Sequence, residues 1–238
     1  MTIMQATIES AGYPDRPDVI HDIQFSVQPG ELVGLIGPNG AGKSTTLKAL
    51  LGLLPDLKGE VVFADGDIHY SYIPEHPAVY DELTLWEHLE LAAAAMGLDS
   101  EVFEQRAEEL LVKFHLSGVR HHLPASFSKG MQQKIMLVLG FLHQPKLYIV
   151  DEPFIGLDPK ATKDFLEMLD EERARGAAVL MSTHVLDTAE RVCSSFLLIS
   201  EGTLMASGTL DDIRAASGMP GATLFDCFTA MTEGEGGA

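Results

Sequence analysis

The run Gly37-Pro38-Asn39-Gly40-Ala41-Gly42-Lys43-Ser44 constrains this chain more than any other feature. It fits the pattern Gly-x-x-x-x-Gly-Lys-Ser/Thr. Ahead of it, Glu31–Ile36 reads as an apolar strand; behind it, Lys43–Leu54 reads as a helix. A strand feeding a helix through such a loop aims backbone N–H groups and the positive end of the helix at one point. The glycines let the backbone come close to a phosphate. Lys43 supplies a point charge for the outer phosphates, and the Ser44 hydroxyl suits Mg²⁺. Thr45, next on the helix, belongs to the same expected nucleotide-binding set as Gly37 to Ser44.

A second constellation fits the first. Leu147-Tyr148-Ile149-Val150 reads as a buried parallel strand, and Asp151-Glu152 follow at its C-terminal end. Ligands of open α/β sheets bind at those ends. Asp151 suits the coordination shell of Mg²⁺, and Glu152 suits a general base that polarises water. Alone, an Asp-Glu pair after a strand is a solvated turn; the upstream phosphate loop reverses that reading.

Between these motifs the pattern changes. Residues 1–30 read as short strands and turns, with Glu60–Phe63 and His69–Ile73 as further short strands. Thr84-x-x-Glu87 is a capping box that opens a helix over Leu85–Met96, which Gly97 stops. Glu101–His115 reads as an amphipathic helix with Val102, Leu110, Leu111 and Phe114 on its apolar face. Ser128 caps a third helix reaching about His143, whose run Ile135–Leu142 is apolar nearly all round and expected to be buried. Helix Pro159–Arg175, strand Ala178–Met181, helix Val185–Cys193 and strand Phe196–Ile199 alternate after the acidic pair. A turn at Glu201-Gly202, strand Leu204–Ala206 and helix Thr209–Ala216 follow. The expected fold is therefore α/β: a mainly parallel sheet in a phosphate-loop NTPase core, an antiparallel β-lobe and an inserted helical lobe. Residues 1–75 and 145–220 are assigned to the core and β-lobe, 76–144 to the helical lobe, and 234–238 to a frayed tail, all within one domain.

The order of these motifs resembles that of ATP-binding cassette (ABC) ATPases over nearly the whole chain. The resemblance rests on the phosphate loop Gly37–Ser44, Glu75 at the glutamine-loop position, Ser128-Lys129-Gly130-Met131-Gln132 as signature, Asp151-Glu152, Leu157-Asp158, and His184 as switch histidine. It implies that Tyr13 stacks on adenine and that His184 meets the γ-phosphate. It implies that the signature meets that phosphate across a dimer, and that Asp158 couples the two sites. Lys43, Glu152 and His184 become the expected catalytic set, and Ser44, Glu75 and Asp151 the expected Mg²⁺ set.

Two positions depart from the family pattern. Ser71-Tyr72-Ile73-Pro74-Glu75 places a glutamate where glutamine is usual, adding negative charge beside an anionic nucleotide. Phe127-Ser128-Lys129-Gly130-Met131 replaces Leu-Ser-Gly-Gly-Gln, exchanging a glycine for a cation at Lys129. With Phe154–Pro159 and Met181–His184, these departures resemble the EcsA-type ATPase subunits of bacterial ABC transporters.

The resemblance implies a transporter subunit that hydrolyses ATP as a homodimer or heterodimer and drives a separate integral membrane permease. No apolar stretch is long enough to span a bilayer and the N-terminus has no signal-peptide pattern, so the expected location is the cytoplasmic face of the membrane, through the permease. Tyr80, Leu83, Leu85 and Trp86 are the expected docking residues, and the short reach beyond His184 suggests an exporter-type partner. The net charge of −19 argues against nucleic-acid binding. It weighs against the alternative of a soluble ABC ATPase acting on DNA or ribosomes, as does a Glu75–Ser128 segment without heptads or paired cysteines. Cys193 and Cys227 have no metal or redox spacing and read as reduced thiols.

Overall fold

A computed structural model describes residues 2–64 and 70–234. The chain opens with a long hairpin, β1 (Met4–Tyr13) and β2 (Arg16–Val27), and β4 (Asp56–Phe63) pairs with the free side of β1. This gives a three-stranded antiparallel sheet in the order β2-β1-β4. Met4, Ala6 and Ile8 alternate inward along β1, the period expected of a sheet with one buried face. Short strands were expected here because register shifts between Ile8 and Ser10 and between Ala11 and Tyr13 interrupt the alternation.

The central sheet holds β3 (Leu32–Ile36), β5 (Tyr70–Ile73), β6 (Leu147–Asp151), β7 (Ala178–Thr183), β8 (Ser195–Ser200) and β9 (Thr203–Gly208). Their order is β5-β6-β7-β3-β8-β9, with only β9 antiparallel to its neighbour. Both faces are covered. Leu147, Ile149, Leu180, Val33 and Leu35 pack toward the antiparallel sheet and α1 (Lys43–Leu50). Tyr148, Val150, Val179 and Met181 pack toward the helices on the other side. That two-sided burial explains why these strands are apolar runs rather than alternations.

Helices α2 (Leu85–Met96), α3 (Ser100–Lys113) and α4 (Lys129–Phe141) lie between β5 and β6 in the chain. Thr84 and Glu87 form the expected capping box, and Gly97 closes α2 in the left-handed region. On α3 Leu110, Leu111 and Phe114 are buried as expected, and only Val102 departs from the expected apolar face. Val102 is 59% exposed, and Phe103, Ala107, Leu110 and Leu111 are buried. The helix opens at Ser100 on its Asp99 cap, and spacings of four, three and one from Phe103 fall on one stripe that Val102 misses. Ile135 to Val138, Phe141 and Leu142 on and after α4 are buried as expected.

After α5 (Pro159–Ala174) and α6 (Leu186–Val192), the chain ends in α7 (Leu210–Ser217) and α8 (Leu224–Gly234). Helix α1 stops at Leu50, short of the expected Leu54, because Gly52 takes the left-handed conformation that closes a helix. Helix α8 was not expected. Its signals are the Thr223–Asp226 cap pair and the stripe Leu224, Cys227, Phe228 and Met231, which packs on Phe196 and Leu198 of β8. The tail expected at 234–238 lies outside the described residues apart from Gly234, the last residue of α8, and His69, expected to open β5, lies outside them too.

Candidate active site

Topology assembles the site. Strands β5, β6, β7 and β3 are neighbours and run parallel, so their C-terminal ends emerge side by side. Glu75 follows β5, Glu152 follows β6, His184 follows β7, and the phosphate loop follows β3. Residues far apart in the chain thus meet at one edge of the sheet, the position where open α/β sheets hold ligands.

A cavity of about 490 Å³ opens there. Asn39, Gly40, Gly42, Lys43, Ser44 and Thr45 form its floor, Glu75, Glu152 and His184 one wall, and Tyr13 another. Its size suits a small-molecule ligand. Gly42 sits at φ +106°, and a Cβ there would fall 2.7 Å from Ile20, so the loop's last turn tolerates no side chain. Lys43, buried at the start of α1, donates to the Gly37 carbonyl at 2.8 Å and the Pro38 carbonyl at 3.3 Å. The loop's own carbonyls thereby hold the ammonium at the mouth of the helix.

Glu152 is the hub of the wall. Its Oε1 lies 3.3 Å from Lys43 Nζ, and its Oε2 lies 2.9 Å from His184 Nδ1. With a carboxylate on that side, Nδ1 carries the hydrogen and Nε2 is the remaining ring nitrogen. Glu152 takes φ +45°, a left-handed conformation that costs a non-glycine residue about 1–2 kcal/mol. Its N–H donates to the Ser182 carbonyl at 3.2 Å and to Ser182 Oγ at 3.1 Å. Those bonds to β7 hold the strained residue in place and turn its carboxylate toward the cavity.

Ser44 and Asp151 form a second pair. Ser44 Oγ donates to Asp151 Oδ1 at 3.3 Å, and Ser182 Oγ donates to the same oxygen at 2.5 Å. A hydroxyl and a buried carboxylate in contact are hard oxygen donors, and no set of three or more His, Cys, Asp or Glu able to hold a metal exists among the described residues. That donor set fits Mg²⁺, which takes one or two protein oxygens and completes its shell with water and substrate phosphates. Beside it, Tyr72 is pushed up to about 12, by burial first and then by the charges of Asp151 and Glu75.

The signature residues lie elsewhere. Ser128 caps α4, accepting from the Met131 N–H at 3.3 Å, and Lys129 and Ser128 are exposed. A Cβ at Gly130 would fall 2.7 Å from the Gly156 carbonyl oxygen, so this glycine is required by its own chain's packing. Gln132 Nε2 donates to the Pro124 carbonyl at 3.0 Å. Neighbouring Asp158 caps α5 through the Ala161 N–H and pairs with Lys134 Nζ at 3.2 Å. That backbone bond, helped by Lys134, holds its carboxyl below the usual range. None of Ser128 to Gln132 lines the cavity.

Of the docking residues expected on α2 and before it, Tyr80 is 61% exposed and Leu83 half-buried, but Leu85 is fully buried in the core. Trp86 packs at a tilt against Phe103 with ring centres 5.3 Å apart, under the Arg120 guanidinium, and its Nε1 donates to Glu90. As the first helical residue after its cap, Leu85 points inward. Arg16, Val19 and Ile155 also line the cavity and were not anticipated. The only sequence signal for Arg16 is its position directly across the β1–β2 turn from Tyr13.

Sheet order, phosphate loop and acidic wall together place the chain among the phosphate-loop nucleoside triphosphatases. Within that class it belongs to the ABC transporter family, whose match runs over residues 20–155. It is an ATP-binding, ATP-hydrolysing subunit of that family. The uncharacterized ABC transporter ATP-binding protein YthP of Bacillus subtilis is 52% identical to it, covering 98% of each chain. The ABC-type transporter ATP-binding protein EcsA of the same organism is 44% identical, over 100% of this chain and 99% of its own. A solved ATP-binding subunit of an ABC transporter superposes with a TM-score of 0.92 at 46% identity, covering 97% of this chain and all of that one.

Proposed function

We propose that this subunit powers a separate integral membrane permease by closing on a second ATPase copy around Mg-ATP and reopening after hydrolysis. The observation that carries the reading is spatial. Tyr13, the phosphate loop, Glu75, Glu152 and His184 line one cavity, whereas the capped N-terminus of α4, with Ser128 and Lys129 exposed, lies outside it. A helix N-terminus of this kind favours an anion. A second copy, or a sibling chain, is the natural source of the missing wall. In this reading residues 76–144 move as a helical lobe against a core of 1–75 and 145–220.

Within one copy the steps follow from the contacts. Lys43 exchanges Glu152 for the outer phosphates of the nucleotide. Glu152, relieved of that ion pair, accepts a proton from the attacking water. His184 holds Glu152 through the Nδ1 hydrogen; a contact from Nε2 to the γ-phosphate requires a hydrogen on that nitrogen as well, since a phosphate oxygen only accepts. Ser44, Asp151 and Glu75 would hold Mg²⁺, which when bound offsets phosphate charge. Contacts to the γ-phosphate differ before and after hydrolysis, and that difference is what a switch requires. Two copies at −19 repel, but screening beyond about 8 Å limits the effect at physiological salt.

No helix among the described residues is long and apolar enough to cross a membrane. Association with the cytoplasmic face then comes through the permease, and Tyr80 and Leu83 remain available for it on the surface next to Glu75. We extend the proposal to an exporter-type partner, which transport into inside-out vesicles tests. The experiment for the whole reading is capture of the tagged chain from detergent-solubilised membranes. It predicts co-purification of a polytopic membrane protein whose presence raises ATP turnover. Recovery with DNA or ribosomal RNA in a salt-sensitive complex would overturn it.

A further inference from the structure

Tyr13 stands at the end of β1, half-buried, with its ring in the cavity wall beside Val19. Its hydroxyl is 3.4 Å from Nζ of Lys48, which lies on α1, the helix opened by the phosphate loop. The same nitrogen is 5.6 Å from the centre of the ring. The second distance exceeds the first by most of the hydroxyl's own distance from the ring centre. The ammonium therefore sits off the phenol end of the ring, not above its face. It grips the hydroxyl and does not itself cover either face of the ring, which also packs in part against the core. No described carboxylate pairs with this ammonium.

We propose that Lys48 is a positioning residue for the base end of the nucleotide: by holding the Tyr13 hydroxyl it fixes where that ring stands in the cavity, so that the adenine meets it at a preset place. The inference rests on the stacking role assigned to Tyr13. Packing against the core restrains Tyr13 only in part, and holding it further before binding removes the remaining side-chain entropy from the binding step. Lys48 sits one turn of α1 beyond Ser44, so the helix that presents its N-terminus to the phosphates also sets the base platform. Spacing between the two ends of the nucleotide site is then held by a single rigid element.

The test compares Lys48→Met, Lys48→Arg, Tyr13→Phe and Tyr13→Ala, with steady-state ATP hydrolysis and equilibrium binding of Mg-ADP and of magnesium pyrophosphate. Pyrophosphate probes the phosphate loop without a base. Lys48→Met and Tyr13→Phe should each raise KM for ATP and weaken Mg-ADP by about fivefold, the worth of one hydrogen bond, with kcat and pyrophosphate affinity unchanged. The double variant should be no worse than either single one, and Lys48→Arg should restore most of the loss. A loss in Tyr13→Ala with none in Lys48→Met overturns the role of Lys48 and leaves stacking intact. No loss in Tyr13→Ala overturns stacking itself. Weakened pyrophosphate binding in Lys48→Met would show that it acts on the phosphate loop, and would also overturn the proposal.

Discussion

Lys43 Nζ and Glu152 Oε1 are 3.3 Å apart, both side chains almost fully buried. The cation proposed to serve the phosphates and the carboxylate proposed to serve the water are thus each other's partner within the cavity. Neither is an unpaired buried charge, a condition that would be strongly destabilising. In the proposed mechanism a nucleotide that draws Lys43 away would free Glu152 in the same motion, linking binding to activation of the base.

Glu152→Gln keeps the shape of the hub and removes the base. Turnover is expected to fall by about 10²- to 10⁴-fold, with ATP still bound and a dimer visible by size-exclusion chromatography with light scattering. Hydrolysis at the parental rate would show that Glu152 is not the base.

Glu75→Gln restores an amide at the wall of the cavity. The native carboxylate repels a nucleotide that carries no metal and favours one that does. The ratio of ATP affinities with and without Mg²⁺ should therefore shrink in the variant, by about three- to tenfold, in isothermal titrations at fixed ionic strength. An unchanged ratio would place Glu75 outside the electrostatic reach of the phosphates.

Arg106 on α3 reaches across to Glu172 on α5, Nη2 to Oε1 at 2.9 Å, and its Nε donates to the Phe141 carbonyl. Glu172 is 2% exposed and is also held by Arg175 and Gln144. Arg106→Met should lower stability by about 2 kcal/mol, seen as a fall of about 4–8 °C in melting temperature. Adding Glu172→Leu should recover part of the loss, because the buried charge is removed with its partner. A further drop in the double variant would contradict this account of the pair.

Burial pushes the Cys193 thiol up to about 12, and Cys227 is buried on the inward face of α8. A raised value keeps the thiol protonated through the neutral range, and the thiolate is the reactive form. Native protein at pH 8 should react slowly with a thiol reagent, and the two thiols should appear together on denaturation. A rapid native titre would mean that β8 and α8 are looser than their packing implies.

Much of this was legible in the sequence where chemistry is local. The phosphate loop, the Thr84 box and the Ser128 cap depend on neighbours a few residues away, and each forms where expected. The buried parallel strands were legible as apolar runs. What escaped depended on distant partners. β1 and β2 are long because each completes the other across bulges that break the alternation. Helix α8 is stabilised by its packing on β8, and Arg16 reaches the cavity only because the hairpin turn folds it opposite Tyr13. The contact between Lys43 and Glu152 likewise arises from the adjacency of β3, β7 and β6, which no linear spacing reveals.

The most direct measurement is equilibrium binding of ATP to the purified, folded chain with and without Mg²⁺, with Lys43→Ala alongside. The phosphate-loop account predicts tight, magnesium-dependent binding in the parent and a loss of about 10- to 100-fold in Lys43→Ala, the worth of a charge-assisted contact to phosphate. Equal affinity in the two proteins, or no magnesium dependence in a folded parent, would contradict it.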